Sequence, residues 1–170
     1  MNGDLFAGSS ATFSGCGRYR YELRRTLDVF GGAPKGRTVA WLMLNPSTAD
    51  ASTDDPTIRK CRGFSQRWGY SELVVVNLYA WRATEPREML AAADPVGPAN
   101  DRHLLSAAAS AELVVCAWGC NARADRRAHV LELLELYAHK LRCLKIVGGD
   151  EPGHPLMLPY KLPLQPFPAP

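Results

Sequence analysis

Two asparagines and a histidine stand where this chain is equipped for chemistry. Asn45 ends the apolar run TVAWLMLN, Asn77 ends ELVVVN, and His154 follows CLKIV within the segment GHPL. An amide at the end of a buried strand needs partners there, and it can present a paired donor and acceptor to a ligand. A histidine ring beside it can donate a hydrogen bond without carrying charge. If the apolar runs, together with LVVCAW before Gly119, form one parallel sheet, NPSTAD (45–50), VVNLYAWR (75–82), AWG (117–119) and GHPL (153–156) meet at its carboxyl edge, where open α/β sheets place ligand sites.

The elements needed to hold those segments are legible in the pattern. GRYRYELRRTL alternates Tyr19, Tyr21 and Leu23 with Arg18, Arg20 and Glu22, which predicts a half-exposed strand before GGAPKG turns the chain. Asp54 or Asp55 caps a helix with Pro56 in its first turn, and Ile58, Cys61, Phe64 or Ser65, and Trp68 follow at helical spacing until Gly69. A second helix starts near Thr84 with Pro86 in its first turn, a third runs through NDRHLLSAAAS, and NARADRRAHVLELLELYAHK forms an amphipathic fourth before the strand CLKIV. The predicted class is α/β, a three-layer α/β/α sandwich around a central, mainly parallel four-stranded sheet with an N-terminal strand or hairpin, because right-handed crossovers put helices on both faces.

A length of 170 residues, 46% hydrophobic and 22% charged, suits one domain over 1–170. The polar start (1–12) and the Pro-rich end (161–170) are expected to be loosely held or draped on the body. The chain shows neither a long apolar segment nor a basic, apolar start, so no membrane association and a cytoplasmic location are expected, with a monomer as the default. Five scattered cysteines fit reduced thiols, and no Cys/His spacing matches a zinc site, so neither metal nor cofactor is expected. The net charge of +3 permits nucleic-acid binding, and its distribution matters more: Arg18, Arg20, Arg24 and Arg25 cluster near the start, Arg59, Lys60, Arg62 and Arg67 on the first long helix, and Arg123, Arg126 and Arg127 on a later one.

The chain has no phosphate-binding G-x-x-x-x-G-K-[ST] loop and no G-x-S-x-G elbow, and GCGRYR lacks the third glycine of a dinucleotide fingerprint. The order LNPST (44–48), VVVN ending at Asn77 and HPL (154–156) resembles the uracil-DNA glycosylase superfamily, with NLYAWRATEPRE similar to the Asn-centred segment of its thermophile-type members and AELVVCAWG to their third strand. The resemblance covers roughly residues 38 to 160. More closely, NPSTAD, DDPTIRKC, RWGY, VVNLYAWRAT, DPVGPAND and HPL resemble a bacterial family whose domain has no assigned function.

The superfamily resemblance implies a DNA base glycosylase, a hydrolase of base excision repair with DNA as partner. Asn45 would orient the attacking water, Asn77 would read the edge of a flipped base, and His154 would stabilise charge on the departing base. Cleaving a base–sugar bond builds negative charge on the base, so fixed donors act most in the transition state. Asn45 cannot accept a proton, which implies a dissociative route, and Asp50 is a candidate for the missing carboxylate as well as for a turn cap. Where uracil-selective members carry a bulky Tyr, this chain has Ser47, so bases with 5-substituents are expected to fit. Phe64, Tyr79, Trp81 or Trp118 could stack on the base, while Thr48, Arg59 and Arg82 would meet the DNA backbone and Leu156 or Met157 would wedge into a base step. Two other readings stand beside this one: a non-catalytic nucleotide or nucleic-acid binding module with the same cleft, and a Mg²⁺-dependent phosphoryl-transfer enzyme using Asp50, Asp54 and Asp55. Each site residue also has a plain explanation as a connector or loop residue. Convergence of Asn45, Asn77 and His154 on one pocket is the expectation on which the functional reading rests.

Overall fold

Alternate residues of the Val-rich strands face opposite layers, and that alternation organises the molecule. The computed structural model describes residues 8–27 and 36–168. Its elements in chain order are β1 (Ser10–Phe13), β2 (Arg20–Thr26), β3 (Thr38–Met43), α1 (Pro56–Arg67), β4 (Glu72–Asn77), α2 (Pro86–Ala91), α3 (Asn100–Ser110), β5 (Leu113–Cys116) and α4 (Ala124–Leu133). A 3₁₀ helix (Glu135–Lys140), β6 (Leu141–Cys143), β7 (Ile146–Val147), β8 (Glu151–Pro152) and β9 (Gln165–Pro166) follow. Val39, Trp41 and Met43 of β3 pack with Ile58, Cys61 and Phe64 of α1, whereas Ala40 and Leu42 pack with Met89, Leu104, Ala107 and Val130 from α2, α3 and α4. The protein is thus a mixed α/β structure with helices against both faces of its sheet.

The larger sheet runs in the order β1-β2-β4-β3-β5-β6-β9. Its four inner strands, β4, β3, β5 and β6, are parallel neighbours, as the apolar runs predict. Antiparallel β2 and β1 extend one edge, so the N-terminal hairpin is present, and antiparallel β9 closes the other. The crossover through α1 carries the chain from β3 to β4, and the next one returns it past β3 to β5. The strand order therefore reverses at β3, and the crevice at such a reversal is where this architecture accepts ligands.

Four expectations need correction. β2 is buried along most of its length, because β1 and β4 flank it and Tyr21 and Glu22 meet His103 of α3, Tyr21 by ring stacking at 5.0 Å and Glu22 by a 2.8 Å contact. The long helix predicted through 140 ends at Leu133 and tightens into the 3₁₀ turn. The strand predicted over CLKIV leaves the sheet after Cys143, and Ile146–Val147 pairs instead with Glu151–Pro152 across Gly148 and Gly149, both at positive φ. The described parts of the two end segments are less loose than predicted: Ser10–Phe13 is a paired strand, and β9 pairs with β6 and seats Phe167 in the core, edge-on to Trp118. Gly31–Lys35 of the turn GGAPKG lies outside the described residues. No helix among the described residues is long and apolar enough to cross a membrane.

Candidate active-site cleft

Strand ends and one helix start build the cleft. It encloses about 660 Å³ and is lined by Asn45, Ser47 and Thr48 after β3, Asn77 at the end of β4, Trp118 to Asn121 after β5, and His154 and Leu156 after β8. Arg20 at the start of β2 and Asp55 to Ile58 at the start of α1 complete the wall. Asn45, Asn77 and His154 thus share one cavity.

Each is held by local structure. Asn45 donates through Nδ2 to the carbonyls of Pro46 (3.1 Å) and Ala83 (2.8 Å), which ties the 45–50 loop to the loop after β4 and leaves Oδ1 without a partner among the described residues. Asn77 is 1% exposed, and its Nδ2 is buried without a partner, while Asn100 donates to the carbonyls of Asn77 and Leu78 and so fixes the end of β4. A buried amide left unpaired carries its full desolvation cost unless a ligand supplies the acceptor. His154 is held from two directions: the Gly153 N–H donates to the Lys145 carbonyl (2.7 Å), and the Gly119 N–H donates to the Pro152 carbonyl (2.8 Å). Gly119 sits at φ +74°, a conformation that favours glycine in the turn after β5, beside His154.

The ring of His154 is pushed below its ordinary pKa by desolvation in the cleft, an effect only partly opposed by the charge of Asp55. Its Nδ1 accepts from the Leu156 N–H at 3.3 Å, so the proton of the neutral ring resides on Nε2. Asp55 caps α1 by accepting from the Ile58 N–H at 2.9 Å through Oδ1. Its other oxygen accepts no hydrogen bond among the described residues, and its charge acts on both Arg20 and His154. Arg20 is 2% exposed, and among the described residues its side chain has one acceptor, the Ala49 carbonyl.

The remaining candidate residues are distributed differently. Asp50 is turned out of the cleft wall and accepts from Ser52 N at 2.9 Å and Ser52 Oγ at 3.3 Å, hydrogen bonds that lower its pKa. Phe64 is wholly buried against Trp41 and Trp68 beneath α1, and Tyr79 is buried with its hydroxyl accepting from the Arg123 N–H, so neither offers a ring face to a base. Trp81, Arg82, Ser47 and Thr48 line a shallow depression that borders the cleft, where the Arg82 guanidinium lies over Phe13. Arg59 is far from this edge in function: it donates to the Asp54 carbonyl and lines a separate groove with Arg62 and Tyr160. Leu156 is 39% exposed in the cleft wall, and Met157 beside it is 88% exposed. Asp54 is spent on ion pairs with Arg25 and Arg62, which removes it from the three-carboxylate ligand set. Among the described residues, no group of three or more His, Cys, Asp or Glu side chains is arranged to hold a metal ion.

Two charged groups line the cleft in places the sequence pattern does not assign them: Arg20, named only as part of a basic cluster on a strand with one wet face, and Asp55, named as a helix cap or a Mg²⁺ ligand.

The family described as a protein of unknown function, DUF1643, matches residues 20–156. The chain belongs to this family. The matched span runs from Arg20 to Leu156 and so includes every cleft-lining residue named above. No curated protein and no solved structure matches the chain.

Proposed function

We propose that this DUF1643 protein is a base glycosylase that hydrolyses the N-glycosidic bond of a modified or mismatched base in DNA, on an α/β/α sandwich of the uracil-DNA glycosylase kind. The observation that carries the reading is the shared cleft of Asn45, Asn77 and His154, in the chain order the superfamily resemblance implies, with the two asparagines after β3 and at the end of β4. The unpartnered Nδ2 of Asn77 is a donor waiting for a base carbonyl. The Nε2–H of a neutral His154 can then donate to the base oxygen on which charge accumulates.

In the reaction the C1′–N bond breaks with its electron pair passing to the base. Water, held through the free Oδ1 of Asn45, adds to the sugar carbon and loses its proton. The base takes up a proton from solvent as it leaves. Asp55, rather than Asp50, supplies the carboxylate, because Asp55 lines the cleft and Asp50 does not. Ser47 leaves room beside the ring for a 5-substituent.

The test is a panel of single- and double-stranded oligonucleotides carrying uracil, hypoxanthine, G·T mismatches and 5-substituted pyrimidines, scored for alkali-labile sites without added metal. At least one member should be cut by the wild type, and Asn77→Ala or His154→Ala should slow that cutting about 10²-fold or more, the size of effect for losing one donor to developing charge. Saturable binding with every oligonucleotide intact would instead identify a binding module.

A further inference from the structure

Arg20 is a buried cation with no carboxylate in ion-pair contact among the described residues, and the charges of Asp55 and Asp50 reach it only from a distance. Its guanidinium reaches from the start of β2 to the 45–50 loop and donates through Nη1 to the Ala49 carbonyl at 2.6 Å. Its Nε is buried without a partner, and no carboxylate among the described residues lies within ion-pair distance. Other buried arginines are treated differently: Arg25 is paired with Asp54 at 2.8 Å, and Arg126 with Asp101 at 2.7 Å. Burial pushes the Arg20 pKa down to about 10, so the group stays charged at neutral pH. An unpaired guanidinium out of water is unfavourable, and a fold retains one where something else supplies the anion.

The second orphan points the same way. Asn77 lines the same cleft, and its unsatisfied Nδ2, like the Nε of Arg20, is a donor. The N-terminus of α1 is already capped by Asp55, so Arg20 and not the helix is the available positive charge.

We propose that Arg20 anchors an oxyanion subsite in the cleft and that the ligand carries a phosphate, as monoester or diester, on the sugar of the base that Asn77 reads. A guanidinium offers five N–H donors in a planar fork suited to phosphate oxygens, and Arg20 spends one on the protein. The hydroxyls of Ser47, Thr48 and Thr57 line the same cavity and can share the load. A free base or nucleoside, lacking the anion, is a poor ligand. This subsite goes beyond base excision, because it concerns binding and stands whether or not the glycosidic bond is cut.

Calorimetric titration of the full chain with deoxyuridine, deoxyuridine 5′-monophosphate and a short uracil-containing single-stranded oligodeoxynucleotide tests it. At least one phosphate-bearing probe should bind about tenfold or more tightly than the nucleoside, and Arg20→Met should erase that advantage. An advantage confined to the monophosphate assigns the phosphate to a free nucleotide, and one confined to the oligonucleotide assigns it to a nucleic-acid strand. Equal binding of nucleoside and phosphorylated probes, absence of binding by all three, or an advantage retained in a folded Arg20→Met protein would overturn the proposal. If Arg20→Met does not fold, the wild-type comparison still decides, and Arg20→Lys, which keeps charge but not the fork, should retain only part of the advantage. Binding is read without turnover, so an inactive protein that shows the tenfold preference would sink base excision and leave the subsite standing.

Discussion

Arg20 and Arg25 lie five residues apart on the same strand, both withdrawn from water, and their surroundings could hardly differ more. Arg25 sits under the start of α1, where Asp54 takes its Nε, the carbonyls of Asp50 and Thr53 accept from Nη2, and Arg62 completes the cluster from the helix. Among the described residues Arg20 reaches a single carbonyl and makes no ion pair, and it lines the cleft with Asp55, whose charge acts on it from a distance. One cation ties the sheet edge to the first helix, and the other is left incomplete by the protein itself. Burial of charge is therefore not by itself a sign of function. The sign is burial without a partner beside a cavity, since a buried ion stripped of its counter-charge costs several kcal/mol.

The contrast is broken most forcefully at Asp54. Asp54→Ala strands Arg25 and should destabilise the fold by about 3–5 kcal/mol in urea denaturation. A loss below about 1 kcal/mol would mean that the Arg25 pair is no more structural than a surface bridge. Arg20→Met should leave unfolding free energy within about 1 kcal/mol of the wild type, because the lost carbonyl bond is offset by removal of an unpaired charge. A collapse comparable to that of Asp54→Ala would make the two arginines equivalent.

A smaller effect sharpens the electrostatics of the cleft. Followed by NMR, His154 should titrate below the ordinary histidine value of about 6.5, since desolvation disfavours the charged ring. Because Asp55 favours that charge, Asp55→Asn should move the midpoint lower still. The sign for stability follows: with the folded pKa depressed, the unfolded state binds the proton more readily, so this contribution is full above about pH 6.5 and is lost as pH falls below it. An unchanged midpoint in Asp55→Asn would separate the two groups.

What the sequence disclosed was periodic or punctuated. The apolar runs 38–43, 72–77 and 113–116 form β3, β4 and β5, and Pro56 with Asp55 marks the start of α1. The strand ends carrying Asn45 and Asn77 were therefore readable. CLKIV misled because a short apolar run does not say which sheet it joins, and the positive-φ glycines at 148 and 149 fold its second half into a hairpin that presents His154. Aromatic residues were the least legible. Phe64, Tyr79 and Trp81 have equal claim to stack on a base by type, and only packing shows Phe64 and Tyr79 to be core while Trp81 borders the neighbouring depression. The sequence marks Arg20 as one of a basic cluster, but its burial in the cleft was not legible for a related reason. Alternation along β2 describes a strand with one wet face, but α3 and the 45–50 loop cover this one.

The most direct test of the central claim is a side-chain NMR titration with deoxyuridine 5′-monophosphate. The Nε–H of Arg20 and the Nδ2 amide of Asn77 should shift together and saturably while the Nε–H of Arg25 stays in place, as expected if the cleft's orphaned donors exist for the ligand. Stationary signals from Arg20 and Asn77 at high nucleotide concentration, or equal movement of Arg20 and Arg25, would contradict it.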